Sequence, residues 1–319
     1  MLYLPLQLVL VQLLAFEKGP VSTIVNISSE EELVEIFGKP KTTGNQFETF
    51  FSAANFLKYT DSLKVVRAES AIVNAGANSG ILIRDLDHYD ASFSTGQGSH
   101  GEWAARTAGT WGNSIRVEIC AEADAYEQDL STNNLLNGAA SQGNTSCVVD
   151  DADASGYAFN VGDLISFYSD TANTVSVDDF NEYQVTAINT STNVLTIRLK
   201  DDPSGAGLQN DIPDDSKIKR RWKYADQFSG APGTSEYNTN NSRGSNDELH
   251  VIVADATGDL TGYDTDTAGN RTKGVIEAFG FMSKNSGAKG PQGDSVYYAD
   301  VIRAKSQFIY WTDHISAGS

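Results

Sequence analysis

The stretch Gly109-Thr110-Trp111-Gly112-Asn113-Ser114, followed by the alternating run Ile115-Arg116-Val117-Glu118-Ile119, constrains this chain more than any other. Two glycines bracket an aromatic, Asn-Ser follows, and a run of period 2 begins. The pattern is a tight turn that pins a large ring before the chain enters a sheet. Gly109, Trp111, Gly112 and Asn113 are the candidate structural-turn residues, and their chemistry serves architecture rather than catalysis. The expectation is a Trp111 indole buried against the 115–119 strand, so that Trp111→Ala costs on the order of 3–5 kcal/mol as a large-to-small core change.

Upstream, the chain reads as helix from Ser28. Ser28 or Ser29 can cap, Glu31 and Glu32 suit the positive first turn, and Leu33, Ile36 and Phe37 make an apolar face that stops at Gly38 and Pro40. A second helix is expected from Gln46 to Tyr59, with Phe47, Phe50, Phe51, Ala54 and Leu57 recurring at helical spacing as a core stripe. Leu63 to Ala68 then reads as a strand, and strand, helix, helix, strand opens an α/β layer. Residues 71–143 begin with loop-like sequence, and the Asn/Ser/Ala/Asp-rich tract 121–143 reads as an exposed connection.

Between Cys147 and Arg221 the signal changes to short β-rich runs: Phe159–Tyr168, Tyr183–Ile188 and Val194–Leu199, the last two joined through Asn189-Thr190-Ser191-Thr192-Asn193 as a hairpin. Strands at that spacing predict a small barrel. Lys219, Arg220 and Arg221 around Trp222 form the one basic knot in an acidic chain. Two readings stand for it: a docking point for an acidic neighbouring subunit, or a solvated strand edge protected by charge. Residues 229–247, rich in Gly, Ser, Asn and Thr, read as a mobile loop.

The chain has 319 residues, enough for two or three domains of the usual size. Its 42 acidic against 23 basic residues leave a formal charge of −19. Such a surface repels nucleic acid and favours solubility at high concentration. Cys120 and Cys147 lack metal-ligand spacing and read as reduced, buried thiols. Met1 to Ala15 is apolar with no basic residue before Lys18, which argues against a secretory leader. It is also shorter than the roughly 20 residues of a spanning helix. The segment reads as a buried strand or an altered start.

A search for catalytic sets finds none. His88, His100, His250 and His314 carry no G-x-S-x-G elbow or HExxH helix with them. Asp85-Leu86-Asp87-His88-Tyr89-Asp90 looks like a fragment of a calcium loop but lacks its glycine and terminal Glu, and Asp150-Asp151-Ala152-Asp153 reads as a solvated turn. The expectation is a non-enzyme without catalytic, metal or cofactor residues.

Three groups of words, in order, carry a family resemblance. Phe16-Glu17-Lys18-Gly19-Pro20-Val21 leads into Ser28-Ser29-Glu30-Glu31-Glu32-Leu33-Val34-Glu35-Ile36-Phe37-Gly38-Lys39-Pro40. The Gly109–Ser114 turn follows. Then come Leu249-His250-Val251-Ile252-Val253-Ala254-Asp255, Gly258 and Thr261-Gly262, Gly274 to Phe279, Ser283-Lys284, and Tyr297-Tyr298-Ala299-Asp300-Val301-Ile302. Over roughly residues 15–125 and 245–314 the chain resembles the tail sheath proteins of contractile-tailed, T-even-like bacteriophages, those infecting cyanobacteria in particular.

The resemblance implies an α+β, β-rich fold: a partial α/β layer at the N-terminus (1–70), a β-rich domain in two pieces (71–146 and 224–319) and an inserted small β-barrel (147–223). It implies a structural subunit in a homo-oligomeric helical sheath, partnered by the tail tube protein and baseplate, with no nucleic acid, membrane or cofactor. Contraction would drive DNA injection. The location implied is the virion, after synthesis in the host cytoplasm. It further implies that most of a subtilisin-like core, so named for topology alone, would lie beyond Ser319, and that 1–15 stands where the family has an extended arm. The rival readings are a surface-exposed β-rich adhesin or another virion decoration protein, and a hydrolase, which would need a clustered triad.

Overall fold

Alternation and capping explain most of the local structure. The computed structural model describes residues 13–14, 16, 18–40, 42, 46–68, 72–96, 98–130, 134–264 and 273–314. The chain divides into two units, Met1–Ile115 with Ile302–Ser319, and Arg116–Val301. The architecture is α+β and β-rich, with four separate sheets among the described residues.

In the first unit, Leu63–Arg67 is the centre of a three-stranded sheet, parallel to Leu13–Leu14 and antiparallel to Ile24–Ile27. Apart from Leu13–Leu14, the expectation for residues 1–15 lies outside the described residues. The helix Glu30–Phe37 starts where Ser29 Oγ accepts the Glu32 amide at 3.1 Å, while Glu32 reaches back to the Ser28 amide and hydroxyl at 2.7 Å. It ends at Gly38, whose φ of 89° suits glycine.

The second helix, Gln46–Leu57, buries Phe50, Ala53 and Ala54, but Phe47 and Phe51 are 38% and 51% exposed. The expected five-residue stripe is thus rotated: Ala53 replaces Phe47 and Phe51 on the inner face. Small alanines let the helix lie close to Leu33, Phe37, Leu63 and Val65. The words 16–21 and 28–40 fold onto each other. Phe16 and Phe37 rings lie 4.7 Å apart, and a Cβ on Gly19 (φ 100°) would fall 2.6 Å from Phe37 Cδ1.

A second sheet of this unit pairs Trp103–Ala108 antiparallel with Asn74–Gly76 on one side and Ile309–Trp311 on the other. The supposed calcium-loop fragment is the start of a helix, Leu86–Ser92. Asp85 is its N-cap, accepting the His88 amide at 2.8 Å. The Thr23 hydroxyl, donating to the same carboxylate at 2.5 Å, is the main reason its pKa falls below the usual range. A capping aspartate and a calcium-loop aspartate look alike in sequence because both turn a carboxylate toward the backbone ahead of them.

In the second unit, six strands follow the order Glu127–Asp129, Lys217–Arg221, Leu164–Tyr168, Tyr183–Asn189, Val194–Leu199, Ser146–Val148. The expected hairpin forms, Tyr183–Asn189 pairing with Val194–Leu199 so that Asn189 stands opposite Val194, with a bulge between Val185 and Ala187. The expected barrel is not formed: this sheet is open, its first and last strands unpaired with each other. The segment between them is held by the single bridges Leu136↔Val149 and Ala140↔Ile212 instead of a ladder. Asn and Gly residues at 134, 137 and 138 disfavour a continuous strand there.

Nor is 121–143 an exposed connection. It supplies the strand Glu127–Asp129, and Leu130 and Leu136 are fully buried in the core with Phe167, Tyr183 and Ile218. Residues 229–247, expected as a loop, contain the helix Glu236–Asn241, capped by Ser235 Oγ on the Asn238 amide at 3.2 Å. The remaining sheet places Glu248–Asp255 between Ile115–Cys120 and Val275–Ser283. Among the described residues no helix is long and apolar enough to cross a membrane. Cys120 and Cys147 are free and buried, and burial pushes both thiols up to about 12.

Candidate assembly elements

The turn singled out in the sequence is a short 3-10 helix, Thr110–Ser114. Gly109 precedes it at φ 114° and donates to Val73 O at 2.8 Å, a backbone conformation that a side chain would strain. Gly112 is required by space instead, since a Cβ there would lie 2.6 Å from Ala105 Cβ. Asn113 is exposed.

Trp111 departs from expectation. Its ring is half-buried and stacks on Phe308 at 5.5 Å and 18°, with the Lys18 ammonium 6.0 Å away. The 115–119 strand is not its partner in this stack. Partial exposure lowers the expected cost of Trp111→Ala to about 1–3 kcal/mol. Denaturant melts of Trp111→Ala, Phe308→Ala and the double variant check this, and the two rings should couple by about 0.5–1.5 kcal/mol. Strict additivity would show that the stack contributes nothing.

The basic knot occupies an interior strand, Lys217–Arg221, paired on both sides, so the solvated-edge reading is corrected. Its cations have partners within the chain. Arg221 grips Glu182 bidentately at 2.7 and 2.6 Å and reaches Asp226 at 2.5 Å, and Lys200 joins the same two carboxylates at 2.8 and 2.7 Å. Burial alone would raise both carboxyl pKa values, but Arg221 and Lys200 outweigh it; Glu182 titrates below its usual range and Asp226 is brought down to about 2.

Lys219 pairs with Glu127 at 2.7 Å. Arg220 bonds Ala158 O and Gln128 Oε1, with Asp163 3.9 Å from its Nε. Trp222 is 8% exposed, stacked on Phe228 at 5.8 Å and edge-on to Tyr224 at 5.4 Å. Lys223 pairs with Glu118 at 2.7 Å. The strand therefore acts as an electrostatic keystone of its own unit. Glu182, Lys200 and Asp226 were not singled out in the sequence, because their role depends on strand order.

The histidines have separate environments. His88 Nδ1 accepts the Arg84 amide at 3.2 Å, His100 meets Ser79 Oγ at 2.9 Å, and His314 tilts against Trp311 at 5.1 Å. His250 is fully buried between Gly230 O and the Phe281 amide. Among the described residues no group of three or more His, Cys, Asp and Glu side chains is placed to hold a metal ion.

Two buried polar groups missed in the sequence explain its words. Asp255, fully buried, accepts the amides of Gly258, Leu260 and Thr261 at 2.9, 2.8 and 2.7 Å, which accounts for the Asp-Gly-Thr spacing. Arg67 lies on the inner face of its strand and donates to Gly19 O at 3.0 Å and Ala108 O at 2.7 Å. Its place in the alternation with Leu63 and Val65 was the available signal.

No protein-family model matches the chain. It is similar to bacteriophage tail sheath proteins over part of its length. The tail sheath protein of Vibrio phage KVP40 is 38% identical over 22% of this chain and 12% of its own. That of Enterobacteria phage T4 is 36% identical over 23% of this chain and 10% of its own. The matched segment is thus about a tenth of the length of these relatives.

Proposed function

We propose that this chain is a structural subunit of a contractile phage tail sheath, a virion component made in the host cytoplasm, that assembles with copies of itself around a tail tube above a baseplate. In this reading contraction drives DNA injection, and the role is mechanical, not catalytic. The observation that carries it is the partial similarity to two tail sheath proteins. The acidic balance of 42 against 23 supports it, because such a surface keeps a self-associating protein soluble and disfavours nucleic acid. Head-to-tail interfaces generate open helices, and sliding between two interface arrangements would store and release the energy.

The insertion expected at 147–223 is widened, in this proposal, to the six-stranded module Glu127–Arg221, because Glu127–Asp129 pairs with Lys217–Arg221, and it faces outward from the particle. Its ends favour excision: Arg221 pairs directly with Glu127, and the Trp222 amide donates to Tyr126 O at 2.8 Å. A short Gly/Ser linker from Glu127 to Arg221 would span that gap. Negative-stain electron microscopy of the purified protein should show tubes of uniform diameter, and the excised variant should form them too. Only isolated monomers at high concentration would overturn the sheath reading. Tubes lost in an excised variant that still folds would make the module an inter-subunit contact.

A further inference from the structure

We propose that His250 is an acid-sensitive peg: its neutral imidazole holds a two-residue bulge in the outer strand Val275–Ser283, and protonation releases that bulge. The proposal is independent of the sheath reading. Register carries the first step. Leu249 pairs with Met282 and Val251 with Phe279, so His250 alone stands opposite both Gly280 and Phe281. A bulge removes a backbone group from the ladder. Here the Phe281 amide donates to His250 Nδ1 at 3.0 Å, so a side chain replaces the ladder partner.

The ring's proton is then assigned by chemistry. Nδ1 accepts, and Nε2 lies 2.9 Å from Gly230 O, which can only accept, so Nε2 carries the hydrogen. The imidazole is fully buried, stacked on Phe228 at 4.1 Å and 11° and edge-on to Phe281 at 4.7 Å. The bulge itself is strained. Phe281 has φ 54°, a conformation bulky side chains rarely adopt, and it persists only where the surroundings hold it. Gly280 has no room for a side chain, since a Cβ would sit 2.8 Å from Phe228 Cδ1 and 3.6 Å from His250 Nδ1.

An imidazolium has two donors and no acceptor. Protonation would set N–H against the Phe281 N–H and remove the bond that holds the strained pair. Val275–Ser283 is the edge of its sheet, so release would loosen backbone groups at an edge, where strands pair with other chains.

The charged and titratable groups around the ring are few. Glu248 shares its strand and favours the imidazolium; Tyr126 faces it at 6.0 Å and donates its hydroxyl to Ala225 O. Asp226, on the short helix before Phe228, is engaged by Arg221 and Lys200, and Glu277 on the outer strand pairs opposite Val253. Burial outweighs the Gly230 and Leu249 backbone hydrogen bonds and the Glu248 charge, and holds the imidazole below its usual 6.5. The native state thus resists a proton that the unfolded chain accepts, and this contribution to stability is lost as pH falls through and below 6.5.

Global melting would blur the effect. Burial pushes the Asp163 carboxyl up to about 6, so its neutral form favours the native state and acidification through that value stabilises. The test is therefore local: hydrogen exchange of the Phe281 amide by nitrogen-15 NMR, corrected for intrinsic rates, from about pH 7.5 to about pH 4.5. Protection of Phe281 should fall at least about tenfold as the His250 ring titrates, while Ile252 on the central strand keeps its protection. Ring nitrogen shifts should show the Nε2–H tautomer at the upper pH.

In His250→Asn the side-chain oxygen can take the place of Nδ1 without titrating, so Phe281 should stay protected throughout. An Nδ1–H tautomer, unchanged Phe281 protection while the ring titrates, or the same pH dependence in His250→Asn would overturn the proposal. Should that variant not fold, ring titration against Phe281 protection in the unaltered protein decides alone.

Discussion

Arg221→Met lowers the free energy of unfolding by about 2–4 kcal/mol. Methionine keeps much of the apolar stem but removes the fork that binds Glu182 twice and Asp226 once. Lys200 remains as a single cation against two carboxylates. The loss is dominated by leaving Glu182, whose side chain is 22% exposed, short of a partner. That residual exposure keeps the figure below the cost of breaking a fully buried pair. Urea titration measures it, and adding Glu182→Gln should recover part of the loss. A change under about 0.5 kcal/mol would place these ions with ordinary solvated surface pairs. Because the carboxyls titrate below their usual range, their contribution is complete at neutral pH. The Glu182 part is lost on acidification below its ordinary 4.5, and the Asp226 part below its ordinary 3.8, towards about 2.

Trp222→Ala should cost about 3–5 kcal/mol, the full penalty of emptying a large core site. The indole is 8% exposed and packs among Cys120, Tyr224, Ile252 and Ala254, with Phe228 stacked on its face. Three neighbours are held from elsewhere: Tyr224 accepts from Arg116 at 3.2 Å, Phe228 stacks on His250, and Ile252 belongs to the central strand. Trp222→Phe should cost less than half as much. Chemical denaturation of both variants checks the pair, and an unchanged midpoint for Trp222→Ala would sink the assignment of this ring to the core. Trp111, half-buried, has the smaller expected cost of the two tryptophans.

Elements are more legible in this sequence than the partners of individual side chains. Ser29 and Gly38 bound the first helix because capping is decided by groups within four residues of each other. The hairpin Tyr183–Asn189/Val194–Leu199 was legible because alternation and a short polar loop are both local. The buried face of Gln46–Leu57 is not legible in the sequence, because Phe and Ala at neighbouring positions satisfy the same periodicity and only the sheet beneath chooses between them. The tract 121–143 does not reveal its buried residues because Leu130 and the Leu135-Leu136 pair stand in polar sequence at neither strand nor helix period.

By itself, then, the sequence determined the first two helices, the hairpin Tyr183–Asn189/Val194–Leu199, the need for glycine at 109 and a partial similarity to tail sheath proteins. Each rests on interactions spanning a few residues or on the order of the letters. Tertiary structure decided the rest: Phe308 as the stacking partner of Trp111, an open sheet in place of a barrel, and the spending of the basic knot on Glu182, Asp226 and Glu127. It also made His250 an acceptor for Phe281. A charge or a ring can be satisfied by many partners, and which one it meets depends on strand order and register, set by contacts between residues far apart in the chain.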